Sequence, residues 1–253
     1  MELWSVALLA GLTLVGTLMK AEYRYLDDMG GFVSISALLA VAACLAENSC
    51  ISFYHFYHYS DDWGVFLGHV PLHVVLIWPL FILGEHRYLR SLKTSWRTRA
   101  MLCVVDVVLL ANLMEMVCVA AGLWTWKSSN CLGVPWIGVL GWALFATPLV
   151  LLLERKTMLL WSLLTLHGGL VLLWHLWSWQ LQVSPAMEAM CITVIQFFYH
   201  LLVRDLPRPK LRDEMPRFAA CGILSALLLK GRPDSGMALV ALASMLRLLA
   251  FEL

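Results

Sequence analysis

The chain has 253 residues, 61% of them hydrophobic and only 14% charged, with a formal net charge of +1. Soluble domains average about 45–50% apolar and about 25% charged, so the balance argues against a soluble bundle and points to an integral membrane protein. The near-zero charge offers nucleic acid no basic footprint.

In chain order, apolar runs predict spans at 2–19, 31–53, 65–84, 100–122, 135–153, 158–178 and 187–203, each near the ~20 residues that cross a bilayer. The first run follows acidic Glu2 and lacks a basic leader, so it reads as a retained span rather than a signal peptide. Two shorter stretches, 217–230 and 236–252, read as an eighth and a ninth span or as an interfacial hairpin. The expected fold class is all-α: a polytopic helical membrane bundle with seven clear transmembrane helices plus an eighth, and a ninth where both short stretches span, forming one domain over 1–253. Basic residues concentrate in the segments 85–99, 154–157 and 204–217, whereas 54–64, 123–134 and 179–186 hold only Lys127. The positive-inside rule puts the first set in the cytoplasm and the N-terminus outside. A bacterial or archaeal plasma membrane is the expected location.

Two glutamates interrupt this apolar pattern. Glu47 lies in the second run and Glu115 in the fourth. A charged side chain at mid-membrane costs about 3 kcal/mol on insertion scales, so each acid is a functional candidate by default. Each is followed by an aromatic linker and a Val-Pro pair, Val70-Pro71 and Val134-Pro135, with a tryptophan seven residues past the proline, Trp78 and Trp142. The spacing predicts a parallel internal repeat of 31–84 and 100–153, with both acids at one depth near the outer surface. Asn112 shares a face with Glu115, whereas Asp106, nine residues away, falls about 180° around the helix. Glu188, at the outward start of the seventh run, and His175, in the outward half of the sixth, are further polar candidates.

A buried carboxyl that stays neutral is a general acid able to protonate an unactivated carbon. The bland reading is an acid hydrogen-bonded to a neighbouring helix that only fixes packing. Twelve tryptophans also serve two readings, an interfacial belt or a pocket wall whose π faces stabilise a cation. The run Phe53 to Tyr59, with Tyr54, Tyr57 and His58, is too dense for a belt alone. His55 and His58, and His69 and His73, have ligand-like spacings, but the other histidines are isolated and no HxxHH occurs. Hydrogen bonding is therefore the expected role, with no metal and no cofactor. The seven cysteines, Cys44, Cys50, Cys103, Cys118, Cys131, Cys191 and Cys221, form no CxxC and read as small core residues.

The segment from Glu47 through H-F-Y-H-Y (55–59) and L-G-H-V-P-L (67–72) to Trp78 resembles the first signature of integral-membrane carotenoid hydratases of the CruF type. G-L-W-T-W (122–126), L-G-V-P (132–135) and G-W (141–142) resemble the second. The resemblance covers about 47–142. The family pattern has an aspartate-proline before W-x-W and an asparagine before G-W. This chain has M-E-M-V-C and I-G-V-L-G-W there, and His69 stands where a small residue is usual. A weaker similarity reaches membrane lycopene cyclases, but their P-x-E-E is replaced by Pro135, Trp136, Ile137 and Gly138.

The resemblance implies a lipophilic polyene or terpenoid substrate drawn from the bilayer. A carboxylic acid would protonate a terminal C=C, aromatic faces would stabilise the tertiary carbocation, and water would add to give an alcohol. Attack by an internal alkene would give a ring instead. Glu47 or Glu115 is the expected donor, with the other as base. Tyr57, His58, His69 and His73 are the expected polar support, and Trp78, Trp124, Trp126, Trp142 and Tyr54 the expected substrate-binding aromatics, with Glu188 and His175. The non-enzyme alternative is a proton-coupled transporter or lipid-binding membrane protein. Oligomeric state is not legible.

Overall fold

The computed structural model describes residues 29–127, 134–153, 158–177, 185–204, 206, 222, 225 and 226. Six helices carry this part of the chain: α1 (Met29–Tyr54), α2 (Leu72–Ser91), α3 (Trp96–Ala120), α4 (Trp136–Leu151), α5 (Met158–Trp177) and α6 (Pro185–Val203). Four very short strands join them: β1 (Tyr57–Tyr59), β2 (Phe66–Leu67), β3 (Val70–Pro71) and β4 (Trp124–Trp126).

The expected seven to nine spans are not met. Among the described residues two helices are long and apolar enough to cross a membrane, Phe32–Tyr54 and Trp96–Ala120. The reasons are local. The run 65–84 opens as a β2–β3 hairpin, and its helix starts only at Leu72 and runs on through Glu85, His86, Arg87 and Arg90. Helix α4 has 16 residues, a length of about 24 Å against a hydrocarbon core of about 30 Å. In α5 and α6 the apolar stretches shrink to Leu159–Leu173 and Met190–Val203. The stretches 2–19 and 236–252 lie outside the described residues, as do all but three positions of 217–230.

The helix ends follow from sequence. Ser95 caps α3, its hydroxyl accepting from the Thr98 N–H at 3.2 Å. At the far end Gly122 (φ +72) closes α3: its N–H donates to the Val119 carbonyl, and the Leu123 N–H to that of Cys118, both at 2.9 Å. These are the two bonds of a Schellman motif, which needs a left-handed residue at this position. His55 (φ 53) ends α1 with the simpler left-handed cap, a single bond from its N–H to the Ile51 carbonyl at 3.0 Å. Pro71 and Pro135, both extended, start α2 and α4.

Packing places α2 and α4 at the centre, α1 against α2, α3 against α4, α5 over α4 and α6 over α3. The α4–α5 contact is close. Ser162 and Thr165 each donate a hydroxyl to a carbonyl of α4, those of Phe145 and Leu144, at 2.8 Å. A Cβ on Gly169 would lie 2.6 Å from the Leu144 side chain. The Tyr88 and Tyr199 hydroxyls, 2.9 Å apart and both buried, tie α2 to α6. Outside this core, α1 exposes Val33, Leu38, Val41, Leu45 and Phe53. An apolar outer face on one of the two span-length helices suits a hydrocarbon solvent.

Candidate functional site

The turns at His55 and Gly122 send the chain from α1 and α3 into β1 and β4, which pair antiparallel with Tyr57 opposite Trp126 and Tyr59 opposite Trp124. The Ser60 N–H on the Leu123 carbonyl (3.0 Å) and the Lys127 N–H on the Phe56 carbonyl (2.8 Å) bracket the ladder. Alternate residues of a strand share a face, so the four rings at 57, 59, 124 and 126 project together. Centroids are 4.8 Å apart for Tyr57–Trp126 and 5.7 Å for Tyr59–Trp124.

Each acid is held from this aromatic face and from one helix. Glu47 Oε2 accepts from the Tyr57 hydroxyl and from the Tyr59 hydroxyl (3.1 Å), and its Oε1 accepts from Trp78 Nε1 of α2 (3.0 Å). Glu115 Oε2 accepts from Trp124 Nε1 (2.8 Å) and Trp126 Nε1 (2.9 Å), and its Oε1 accepts from Trp142 Nε1 of α4 (2.9 Å). The plan is identical: two strand donors on one oxygen, one helix donor on the other. Trp78 and Trp142 then meet, ring centroids 4.5 Å apart, with Phe81 and Phe145 edge-on to them. Equivalent residues meet at the Trp pair, and in the strand pair the first residue of each strand faces the last of the other. Both facts are what a local twofold axis produces.

The geometry depends on small residues. A Cβ on Gly138 would sit 2.5 Å from the Trp126 indole, so only glycine lets this ring lie over the start of α4. On the other side Asn48 clamps the hairpin: its Nδ2 donates to the Leu67 carbonyl (3.0 Å) and its Oδ1 accepts from the His69 N–H (2.7 Å). Gly68 (φ +69) faces that amide, and a Cβ there would be 2.3 Å from Asn48 Oδ1.

Burial pushes both phenols well above their ordinary range. For Tyr57 the Glu47 carboxyl adds to it, then Tyr59; for Tyr59, Glu47 and then Glu115 do so. Both therefore stay as O–H groups at neutral pH, able to donate and to accept. Glu115 is 3% exposed, whereas Glu47 is half-buried.

Of the residues expected at the site, Glu47, Tyr57 and Trp78 come together around one carboxyl, and Glu115, Trp124, Trp126 and Trp142 around the other. The other four expected residues of this region lie elsewhere. His58 points to the exposed side of β1, opposite Tyr57 and Tyr59, and His69 is exposed in the hairpin. His73 is buried against the Trp63 ring, 5.5 Å away. Tyr54 stacks on Phe56 (4.8 Å) and hydrogen-bonds His167 Nδ1 (3.0 Å). The side chains of His175 and Glu188 lie outside the described residues.

Sequence reasoning passed over Tyr59, although Y-x-Y against W-x-W was the signal for two aromatic donors per acid. It also read His167 as isolated. In the structure His167 bridges Ser49 (Oγ to Nε2, 3.0 Å) and Tyr54, pinning α1 to α5, and no local pattern announces a contact 118 residues apart. No protein-family model, curated protein or solved structure matches the chain.

Proposed function

We propose that the protein is a membrane enzyme of carotenoid or terpenoid metabolism that protonates a terminal C=C of a polyene and adds water. The observation that carries this reading is the pair of carboxyls, each fixed by three aromatic donors and joined through the Trp78–Trp142 contact. Positioned general acids contribute about 10²–10⁴-fold to a proton transfer, and indole faces attract the positive charge that such a transfer creates on carbon. The outward apolar face of α1 supports a substrate that arrives from the bilayer. The resemblance to carotenoid hydratases between 47 and 142 supports the same chemistry. A plasma-membrane location in a bacterium or archaeon, with the acids near the outer surface, belongs to this reading.

The reaction balances without a cofactor. A carboxyl O–H gives its proton to the less substituted alkene carbon, and the C=C electron pair forms the new C–H bond. The tertiary cation takes an electron pair from water to form C–O, and the water proton leaves to a carboxylate. The net change is alkene plus water to tertiary alcohol, with the acids regenerated.

The test is expression of Glu47→Gln and Glu115→Gln in a carotenoid-producing host, with products weighed by mass spectrometry. Wild type should yield a pigment heavier by one water, and the variants little or none. A new ring at unchanged mass would mean that an internal alkene, not water, reaches the cation. If both variants formed product at the wild-type rate, proton transfer by these acids would be wrong.

A further inference from the structure

The two acids share a plan but not a donor chemistry. Every partner of Glu115 among the described residues is an indole N–H, from Trp124, Trp126 and Trp142. An indole N–H donates and never accepts. Three donors and, among the described residues, no acceptor complement a carboxylate; a neutral acid with only these partners would leave its own O–H buried without an acceptor, which is costly. Glu47 differs at the two strand positions. Tyr57 and Tyr59 each carry a hydroxyl that can accept as well as donate, so a protonated Glu47 finds an acceptor simply by rotation of a phenol O–H.

We infer that Glu47 is the proton carrier of the site, with Tyr57 and Tyr59 accepting and returning its proton, and that Glu115 is a fixed carboxylate that serves as counter-charge. In the reaction proposed above, on which the catalytic part of this inference rests, Glu47 O–H protonates the alkene. The Glu115 carboxylate, set behind the Trp78–Trp142 pair, then faces the positive charge that appears on carbon. Water adds, and its proton returns to Glu47 through a phenol. The substrate class this selects is a neutral apolar alkene that becomes cationic only during turnover. Among the described residues, the titratable groups around the pair are Tyr57, Tyr59 and Cys50 beside Glu47, and Tyr59, Cys118 and Glu47 itself beside Glu115; none of them is a cation.

Infrared spectroscopy of the purified full chain at neutral pH reads the protonation states without needing any substrate. Wild type should show a C=O band of a buried protonated carboxyl that shifts in D₂O. Glu47→Gln should remove that band, and Glu115→Gln should leave it while removing carboxylate intensity. Tyr57→Phe and Tyr59→Phe, which keep the rings, should each move the Glu47 band, whereas Trp124→Phe should not. The inference is overturned if the band disappears with Glu115→Gln, if it survives Glu47→Gln, or if neither phenol deletion moves it. Should the bands behave as expected while no host yields a hydrated or cyclised polyene, the protonation assignment stands and the proposed reaction fails.

Discussion

The Glu47 half and the Glu115 half of the molecule are built to one geometric plan and furnished with different chemistry. Both run helix, left-handed turn, two-residue-spaced aromatic donors, Val-Pro, and a helix whose tryptophan reaches back to the acid. In the first half the turn residue is His55 and the strand donors are phenols; in the second they are Gly122 and indoles. The backbone plan fixes where each carboxyl sits, and the choice of tyrosine or tryptophan decides whether it has only donors around it. Like-for-like substitutions in the two halves therefore should not give like-for-like effects.

The largest difference is expected in turnover. Glu47→Gln removes the proton itself, and product formation should fall by about 10²–10⁴-fold. Glu115→Gln keeps the shape and a carbonyl oxygen for the indoles but removes the charge, with a loss of about 10²-fold, the lower end for one electrostatic group. Pigment yield per mole of protein measures both. Equal losses would erase the functional distinction between the halves.

The next difference lies in stability. Glu115→Leu strands three indole N–H groups, that of buried Trp124 and those of half-buried Trp126 and Trp142, at about 1–3 kcal/mol for each buried donor left unmade, and thermal unfolding in detergent should report a severe loss. Glu47→Leu strands one indole N–H and two phenol hydroxyls that can rotate to other partners, so the loss should be smaller, about 1–3 kcal/mol. A larger effect at Glu47 than at Glu115 would contradict the ranking. Gly138→Ala comes third. The added Cβ would stand 2.5 Å from the Trp126 ring, and overpacking of this kind costs about 1–3 kcal/mol. Trp126 should lose its bond to Glu115, which tryptophan fluorescence detects as a red shift.

Much of the site was legible because it repeats. Glu47 and Glu115 each precede an aromatic turn, and Trp78 and Trp142 each lie seven residues past the proline of a Val-Pro pair, and a repeated order of this kind survives the absence of any view of the third dimension. Span count was not legible, since hydropathy does not see a hairpin: the apolar run at 65–84 spends its first residues in β2 and β3, and only Leu72 begins the helix. Nor was the pairing of the two aromatic turns. The β1–β4 ladder is a tertiary pairing of three-residue strands that no local propensity specifies, and it alone brings Y-x-Y over W-x-W. His58, His69 and His73 drew notice by their spacing, yet one turns outward, one sits in the hairpin and one packs on Trp63. Spacing marks shared faces, but it does not say which face meets the acid.

The smallest effect sharpens the comparison at the turns that launch the two strands. Both His55 (φ 53) and Gly122 (φ +72) hold left-handed backbone. Gly122 has open space around its missing Cβ, so Gly122→Ala introduces no clash, and its cost is the left-handed conformation alone, about 1 kcal/mol. His55 already bears that strain and is exposed, so His55→Gly should relieve it while loosening the unfolded chain. The two contributions nearly cancel, and the net change should stay within about 0.5 kcal/mol. Paired denaturation curves of the two variants measure the difference. If His55→Gly cost as much as Gly122→Ala, the first turn would be held by contacts of the imidazole and not by backbone conformation. The equivalence of the two helix ends would then be one of shape without a shared energetic cause.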